Sequence, residues 1–382
     1  DASAVTSLVL PASLTAFRSP GGSALSSVAV EAGNAVYSSQ DGILYNAAKT
    51  SIRYVPAQLA GEVVVPDGVT SVGTAFAWRT QITAVTLPDA VTSLSGAFEG
   101  CSSLERVNIP LSVRTIYTDS FADCPALKEF IVPAEHAVFA AYDGVLYGKT
   151  SSGLSVLWAP SAVEGQITVP DGVTVIPEEA FVSCVNMTGV YLPDSVLEIG
   201  RNAFAGCVSL SDIRLPANLS YLGRHAFPYN NDLNCNEYEN GLYIGNEEQP
   251  YQLLVKIKDA TAAAYTIHPA TRMIADNVFA INGNVEEIVI PDSVFYIGNS
   301  AFYGCENLKR IVLPASLQIV ESYGLQCNLE EIYYRGTAQQ WAALDKQNID
   351  EDLPVYYYSA SQPAAGGNYW HYDADGKIQV WE

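Results

Sequence analysis

One phrase returns along this chain, and its period constrains the fold more than any other feature. It reads LPDAVTSLSGAFEGCSSL from Leu87, LPDSVLEIGRNAFAGCVSL from Leu192 and IPDSVFYIGNSAFYGCENL from Ile290. Prolines mark the beat: Pro66, Pro88, Pro110 and Pro133 follow at steps of 22, 22 and 23 residues. Pro170, Pro193 and Pro216 step by 23, and Pro269, Pro291 and Pro314 by 22 and 23. Phe76, Phe98 and Phe121, then Phe181, Phe204 and Phe227, then Phe279 and Phe302, keep the same time. Units of this length bury their apolar faces by stacking on one another, so the period predicts a solenoid rather than several closed domains.

Each unit can be read as one coil. Leu104 to Ile109 alternates apolar and polar residues, the pattern of a short strand with one buried face. Leu104, Val107 and Ile109 then face the core, and Asn108 faces solvent. The following proline lacks a donor and fixes its own dihedral, so the ladder stops and the chain turns. A second apolar stretch, Val196 and Ile199 in the best-formed unit, leads to Gly200 and then to Phe204, whose ring reaches back into the core.

Cys101, Cys124, Cys184, Cys207 and Cys305 each stand three residues after the aromatic anchor or its equivalent. That places them in a buried row of small apolar thiols. Their side chains point the same way, which suits bridging poorly, so free thiols are expected. Cys235 and Cys327 fall outside the register. Three longer inserts interrupt the beat with related phrases: Asp41 to Tyr45, Asp143 to Tyr147 and Asn240 to Tyr243. Asp-Gly or Asn-Gly before apolar residues predicts a turn followed by a strand, and each insert is read as a hairpin or atypical coil within the stack.

Composition narrows the function. Hydrophobic residues make up 49% and charged residues 16%, enough apolar material for a long core. Nineteen Lys plus Arg against 41 Asp plus Glu give a formal charge of -22, which repels nucleic acid and anionic lipid surfaces. No stretch approaches the roughly 20 apolar residues that span a bilayer, so membrane insertion is not expected. The chain opens at Asp1 without Met, which fits a mature chain whose leader has been removed.

The phrase IP-x-SV-x-x-I-G-x-x-AF-x-GC-x-x-L, with its interspersed DG-x-LY units, resembles the BspA-like (Treponema pallidum-type) leucine-rich repeats of bacterial surface proteins. The resemblance covers roughly residues 5 to 335. It implies a leucine-rich repeat solenoid: a curved right-handed stack of 22–23-residue coils, with short parallel strands on the concave face and hairpin-like inserts. The chain divides accordingly into a repeat array over 1–335, a capping segment over 336–358, a linker over 359–368 and a small hairpin tail over 369–382. In the cap, Thr337 starts a short helix, and Trp341 with Leu344 shields the last coil. The linker is rich in Ser, Ala, Gly and Pro and reads as flexible.

No catalytic constellation stands out. His136, His225, His268 and His371 show no metal-ligand spacing, and His225 reads as an ordinary surface residue. No nucleophile elbow, phosphate loop or Cys/His pairing is present. Asp373 to Gly376 resembles the start of a calcium loop but lacks its terminal glutamate, and a hairpin turn explains it better. The stretch Asn230 to Asn240 reads as a solvated loop. Neither a metal nor a cofactor is expected, and the chain is read as a non-enzyme.

The resemblance implies an extracellular or cell-surface location and a recognition role, with a host or microbial protein or glycan as partner. The alternative is a structural spacer that presents other modules. The outward residues of the concave strands are the candidate surface: Thr86, Asn108, Ile131, Tyr191, Arg214, Val289, Val312 and Tyr333. Tyr191, Arg214 and Tyr333 are favoured as anchors because tyrosine and arginine dominate interface energetics. The same residues also suit a scaffold with no partner. Oligomeric state is left open by the sequence.

Overall fold

The computed structural model describes residues 5–18, 24–227, 233–350, 352–364 and 366–381. The chain falls into two units, residues 1–189 with 204–210 and residues 190–203 with 211–382. Both are β-solenoids, and the described residues contain a single six-residue α-helix.

In the first unit the segments ahead of the prolines become parallel strands: Gly61–Val64, Ile82–Thr86, Arg106–Asn108 and Glu129–Ile131. Val85 pairs with Val107 and Val107 with Phe130, so buried residues sit one above another. After each proline the chain bends in one way. Val91, Val113, Val196 and Val294 each donate their backbone N–H to the carbonyl of the proline three residues earlier, at 3.0–3.1 Å. The apolar stretch that follows forms a second strand in most coils, which the sequence pattern did not reveal because only two residues are involved. Ser93–Leu94 and Thr115–Ile116 pair in parallel in this way.

The second unit repeats the scheme. Glu287–Val289, Arg310–Leu313, Glu331–Tyr334 and Val355–Tyr358 form one parallel ladder. Met273–Ile274, Tyr296–Ile297, Ile319–Val320 and Asp345–Lys346 form the other. The helix Ala338–Ala343 follows Glu331–Tyr334, and both ladders continue past it. The Thr337 hydroxyl accepts from the Gln340 N–H and the Gln340 side chain accepts from the Thr337 N–H, a complete capping box. Trp341 and Leu344 pack against the core of the second unit, Trp341 beside the Tyr334 ring at 5.3 Å.

The inserts are larger than simple hairpins. Each is a three-stranded antiparallel meander: Tyr37–Gln40, Ile43–Asn46 and Ile52–Tyr54; Phe139–Tyr142, Val145–Thr150 and Gly153–Trp158; Asn236–Tyr238, Gly241–Ile244 and Leu253–Ile257. In the first two, Asp and Gly take left-handed conformations together, φ 50° and 80° at Asp41-Gly42 and 48° and 81° at Asp143-Gly144. Such a pair matches strand twist in a two-residue hairpin. The turn abuts the neighbouring ladder so closely that a Cβ on Gly144 would meet the Lys128 carbonyl at 2.5 Å. In the third insert the turn lies one residue earlier than the Asn-Gly pair suggests. Tyr238 pairs with Gly241, so Glu239-Asn240 form the turn and Gly241 begins the strand. The Tyr243 ring occupies the space a Cβ on Gly241 would need.

The core is a row of rings with a row of thiols beside it. Phe76, Phe98 and Phe121 stack at 5.7 and 5.6 Å, Phe181 and Phe204 at 5.1 Å, and Phe279 and Phe302 at 4.8 Å. The cysteines have a second duty beyond filling space. Cys101, Cys124, Cys207 and Cys305 each donate an S–H, at 3.0 Å, to the carbonyl of the phenylalanine one coil earlier. Cys184 follows a meander and donates instead to Pro160, at 3.5 Å. All seven cysteines are free. Burial pushes the Cys124 thiol up to about 12 and the Cys305 thiol to about 11. At pH 8, thiol-labelling mass spectrometry on the native protein should therefore show Cys235, which is only partly buried, modified first, and Cys327, also partly buried but with a thiol that burial pushes up to about 12, modified after it. The five row cysteines should react only on unfolding.

His136 is fully buried in the turn before the second meander. Its Nδ1 accepts the N–H groups of Val138 and Phe139, so Nε2 carries the proton and donates to the Pro110 carbonyl at 3.1 Å. Burial holds its pKa below the ordinary 6.5, and Arg114 and Lys149 add to the effect. A histidine depressed in the folded state contributes stability above its unfolded pKa and loses it as pH falls through the folded one. Between pH 7 and 5 the melting temperature should fall further for the native chain than for His136→Gln, a difference that calorimetry at both pH values would measure.

Candidate functional site

The outward strand residues do not form one uniform surface. In the first unit Thr86 and Ile131 face solvent, Ile131 at 48% exposure, and in the second Tyr191 and Val289 do so, at 38% and 40%. Asn108 points outward, but its amide is consumed. Its Oδ1 accepts the Leu87 N–H and its Nδ2 donates to the Leu87 carbonyl, which clamps two coils. Arg214 does the same at the equivalent place, donating to the Leu192 carbonyl at 2.7 Å and pairing with Asp194 at 3.3 Å. The Asp194 carboxyl is held below the usual range by the Ala217 N–H and by Arg214.

Val312 and Tyr333 correct the sequence reading. They occupy the outward register with Val289, yet both are buried. The chain's own tail covers them. Tyr369–Tyr372 pairs in parallel with Val355–Tyr358, and Ile378–Val380 returns antiparallel, so the hairpin extends the ladder. Trp370, fully buried, stands edge-on to the Tyr333 ring at 5.6 Å, and its Nε1 donates to the Tyr334 carbonyl at 3.1 Å. Tyr356 stacks on Tyr333 at 5.4 Å, and Arg335 donates to the Tyr372 hydroxyl at 2.8 Å. The signal was present as alternate aromatics, Tyr356 and Tyr358, then Trp370 and Tyr372, each pair on one face of a strand. The hairpin turns at Asp373, whose carboxylate accepts the Asp375 and Lys377 N–H groups at 2.9 Å.

The remaining titratable clusters are structural. His225 is not an ordinary surface residue: its backbone N–H donates to the buried Asp276 carboxylate at 2.7 Å, and its Nδ1 lies 3.4 Å away. Asp276 also accepts the Asn299 N–H at 2.6 Å, while burial pushes its carboxyl up. His225, Asp276, Cys235 and Lys256 border a cavity of about 250 Å³ beside the third meander. Residues 230–232 of the predicted Asn230 to Asn240 loop lie outside the described residues, and Asn236–Tyr238 is a strand. Among the described residues no group of three or more His, Cys, Asp or Glu is placed to hold a metal, and no helix is long and apolar enough to cross a membrane.

Two parallel ladders, a phenylalanine row and coils of 22–23 residues define a leucine-rich repeat solenoid. Residues 58–142, 164–249 and 272–341 match the BspA type leucine rich repeat region, in six copies over more than half of the chain, and the chain belongs to that family. A leucine rich cell surface protein from Faecalibacterium prausnitzii is 24% identical, over 89% of this chain and 82% of its own, with a TM-score of 0.42. The pneumococcal vaccine antigen PcpA is 17% identical over 93% and 74% of the two chains, TM-score 0.40. A leucine-rich repeat protein from Bacteroides ovatus is 23% identical over 84% and 88%, TM-score 0.39. Comparison with curated protein sequences gives no match.

Trp370→Ala should release the tail with a local loss of about 3–5 kcal/mol, by analogy with buried tryptophan truncations. Limited proteolysis would read it as rapid cutting within 359–368, with the main melting transition of the array little changed.

Proposed function

We propose that the chain is a non-catalytic recognition protein of the bacterial cell surface. It binds an extracellular protein or glycan through the bare outward residues of its strand ladders. One observation carries this reading: the register that leaves Val289 open to solvent is, at Val312 and Tyr333, occupied by Trp370. The surface is therefore of a kind that takes an aromatic side chain flush against it. Pleated strands present their outward residues at fixed spacing, and solvent-exposed Ile131, Tyr191 and Val289 gain when water is removed. A cell-surface location accords with the Faecalibacterium relative, a leucine rich cell surface protein.

The purified chain should bind saturably to at least one member of a panel of extracellular-matrix proteins, mucins and glycans. Ile131→Ser or Tyr191→Ala should weaken that binding by about tenfold, or ~1.4 kcal/mol. Surface plasmon resonance at low and physiological salt measures both effects. Silence across the panel would favour a spacer, a reading that draws on the tail strands extending the ladder.

A further inference from the structure

Tryptophan is scarce in this chain, and the placement of its five copies singles out one cleft. Trp341 and Trp370 pack inside the second unit, and the Trp381 Nε1 donates to the Ser359 carbonyl at 2.9 Å. Trp78 and Trp158 are the tryptophans of the first unit, and both line the same opening. It lies between the coil at Phe121 to Pro125 and the coil at Pro177 to Val182, where the second meander interrupts the phenylalanine row. Its volume of about 770 Å³ is within the range of ligand sites.

The two indoles are held differently. Trp158 ends the third strand of the meander opposite Leu146, where the first meander sets Tyr54 opposite Leu44 and the third sets Lys256 opposite Leu242. It packs on the first unit's core and meets Phe121 edge-on at 6.1 Å. Trp78 lies against Gly100, where an added Cβ would come within 2.3 Å of its ring, yet the residue is 58% exposed. One ring is therefore set into the protein, and the other stands open to solvent with its under-side supported.

The rest of the lining carries oxygen. Thr80, Ser102 and Ser161 bring hydroxyl groups and Asp123 a carboxylate, while no Lys, Arg or His is present to hold an anion. Glu178 and Glu179 also line the cleft, but both already have partners within the chain, so it is no reservoir of unpaired charge for a cation. These groups suit a neutral ligand with an apolar face for the indoles and several hydroxyl groups around its edge. A pyranose ring is built that way, with axial C–H bonds making a flat apolar face and equatorial hydroxyls radiating from it. Laying that face on an indole removes apolar area from water on both partners. The hydroxyls can donate to a carboxylate and either donate to or accept from serine and threonine.

We propose that this cleft binds a neutral oligosaccharide, with sugar rings packed on Trp78 and Trp158 and hydroxyl groups bonded to Asp123 and the side-chain hydroxyls beside it. The site is separate from the strand face and does not depend on that face having a partner.

The full chain is titrated with cellohexaose, maltohexaose and chitohexaose, and with hexagalacturonate as the anionic counterpart, by calorimetry and tryptophan emission. At least one neutral hexasaccharide should bind saturably, with an affinity that stays the same from low to high salt. Hexagalacturonate should bind at least about tenfold more weakly. Trp78→Gly should weaken the neutral ligand at least about tenfold. Its fold is protected, because Gly100, Gly206 and Gly304 hold the same place in their coils in the same left-handed conformation. Asp123→Gly, compatible with that conformation for the same reason, should weaken binding as well. Ile281→Gly, the equivalent position in the second unit, and Tyr191→Ala on the strand face should leave it unchanged. Silence from all three neutral sugars would overturn the proposal. So would an unchanged affinity in Trp78→Gly, or hexagalacturonate binding as tightly as the neutral chains. Because Tyr191→Ala is read separately, either surface can fail while the other stands.

Discussion

Registration of one coil on the next is the constraint on which everything else in this protein rests. In the first unit four rows share a single step of 22–23 residues: the two strand ladders, the stacked phenylalanines and the thiols. They are mutually locking. A thiol that donates to the phenylalanine carbonyl one coil earlier stays in reach only while the rings remain stacked, and the rings stack only while the strands keep register. A slip of one residue would turn Val107 outward and Asn108 into the core. Because each coil touches only its neighbours, stability accumulates along the stack rather than around a centre.

The meanders show what happens where the step is interrupted. In the second, the Asp-Gly turn presses against the strand ladder, as the close approach of Gly144 to Lys128 records, while the phenylalanine row gives way to other contacts. Removing a ring from a close-packed row leaves space, since packed interiors have none to spare. Two of the three meanders border such space, one lined by Trp158 in the first unit and one by Asp276 in the second. Regular coils supply rigidity, and departures from regularity supply shaped surface.

The tail makes a related point about the strand face. A sheet that ends in an open edge with an apolar outward side must be covered or charged. Here the aromatic hairpin at Trp370 both extends the ladder and buries Val312 and Tyr333. Elsewhere the outward register carries coil clamps, as at Asn108 and Arg214, or stays bare, as at Ile131 and Val289. Equivalent positions in a repeat therefore do unlike work.

The sequence by itself determined the repeat, its period, the buried faces of the strands and the Phe and Cys rows, because each is written as a local spacing that backbone geometry converts directly into position. Its account of the site was thinner. Spacing identifies which residues point outward, and so it found Ile131 and Tyr191, but it cannot say what lies over them. Only the tertiary structure decided that Trp370 closes the face at Tyr333, that Asn108 is spent on Leu87, and that His225 rests on Asp276, 51 residues away. It also decided that Trp158 of the second meander and Trp78 line one cleft. These are contacts between segments far apart in the chain, and they depend on how much of the stack a meander displaces, a quantity that no local pattern encodes.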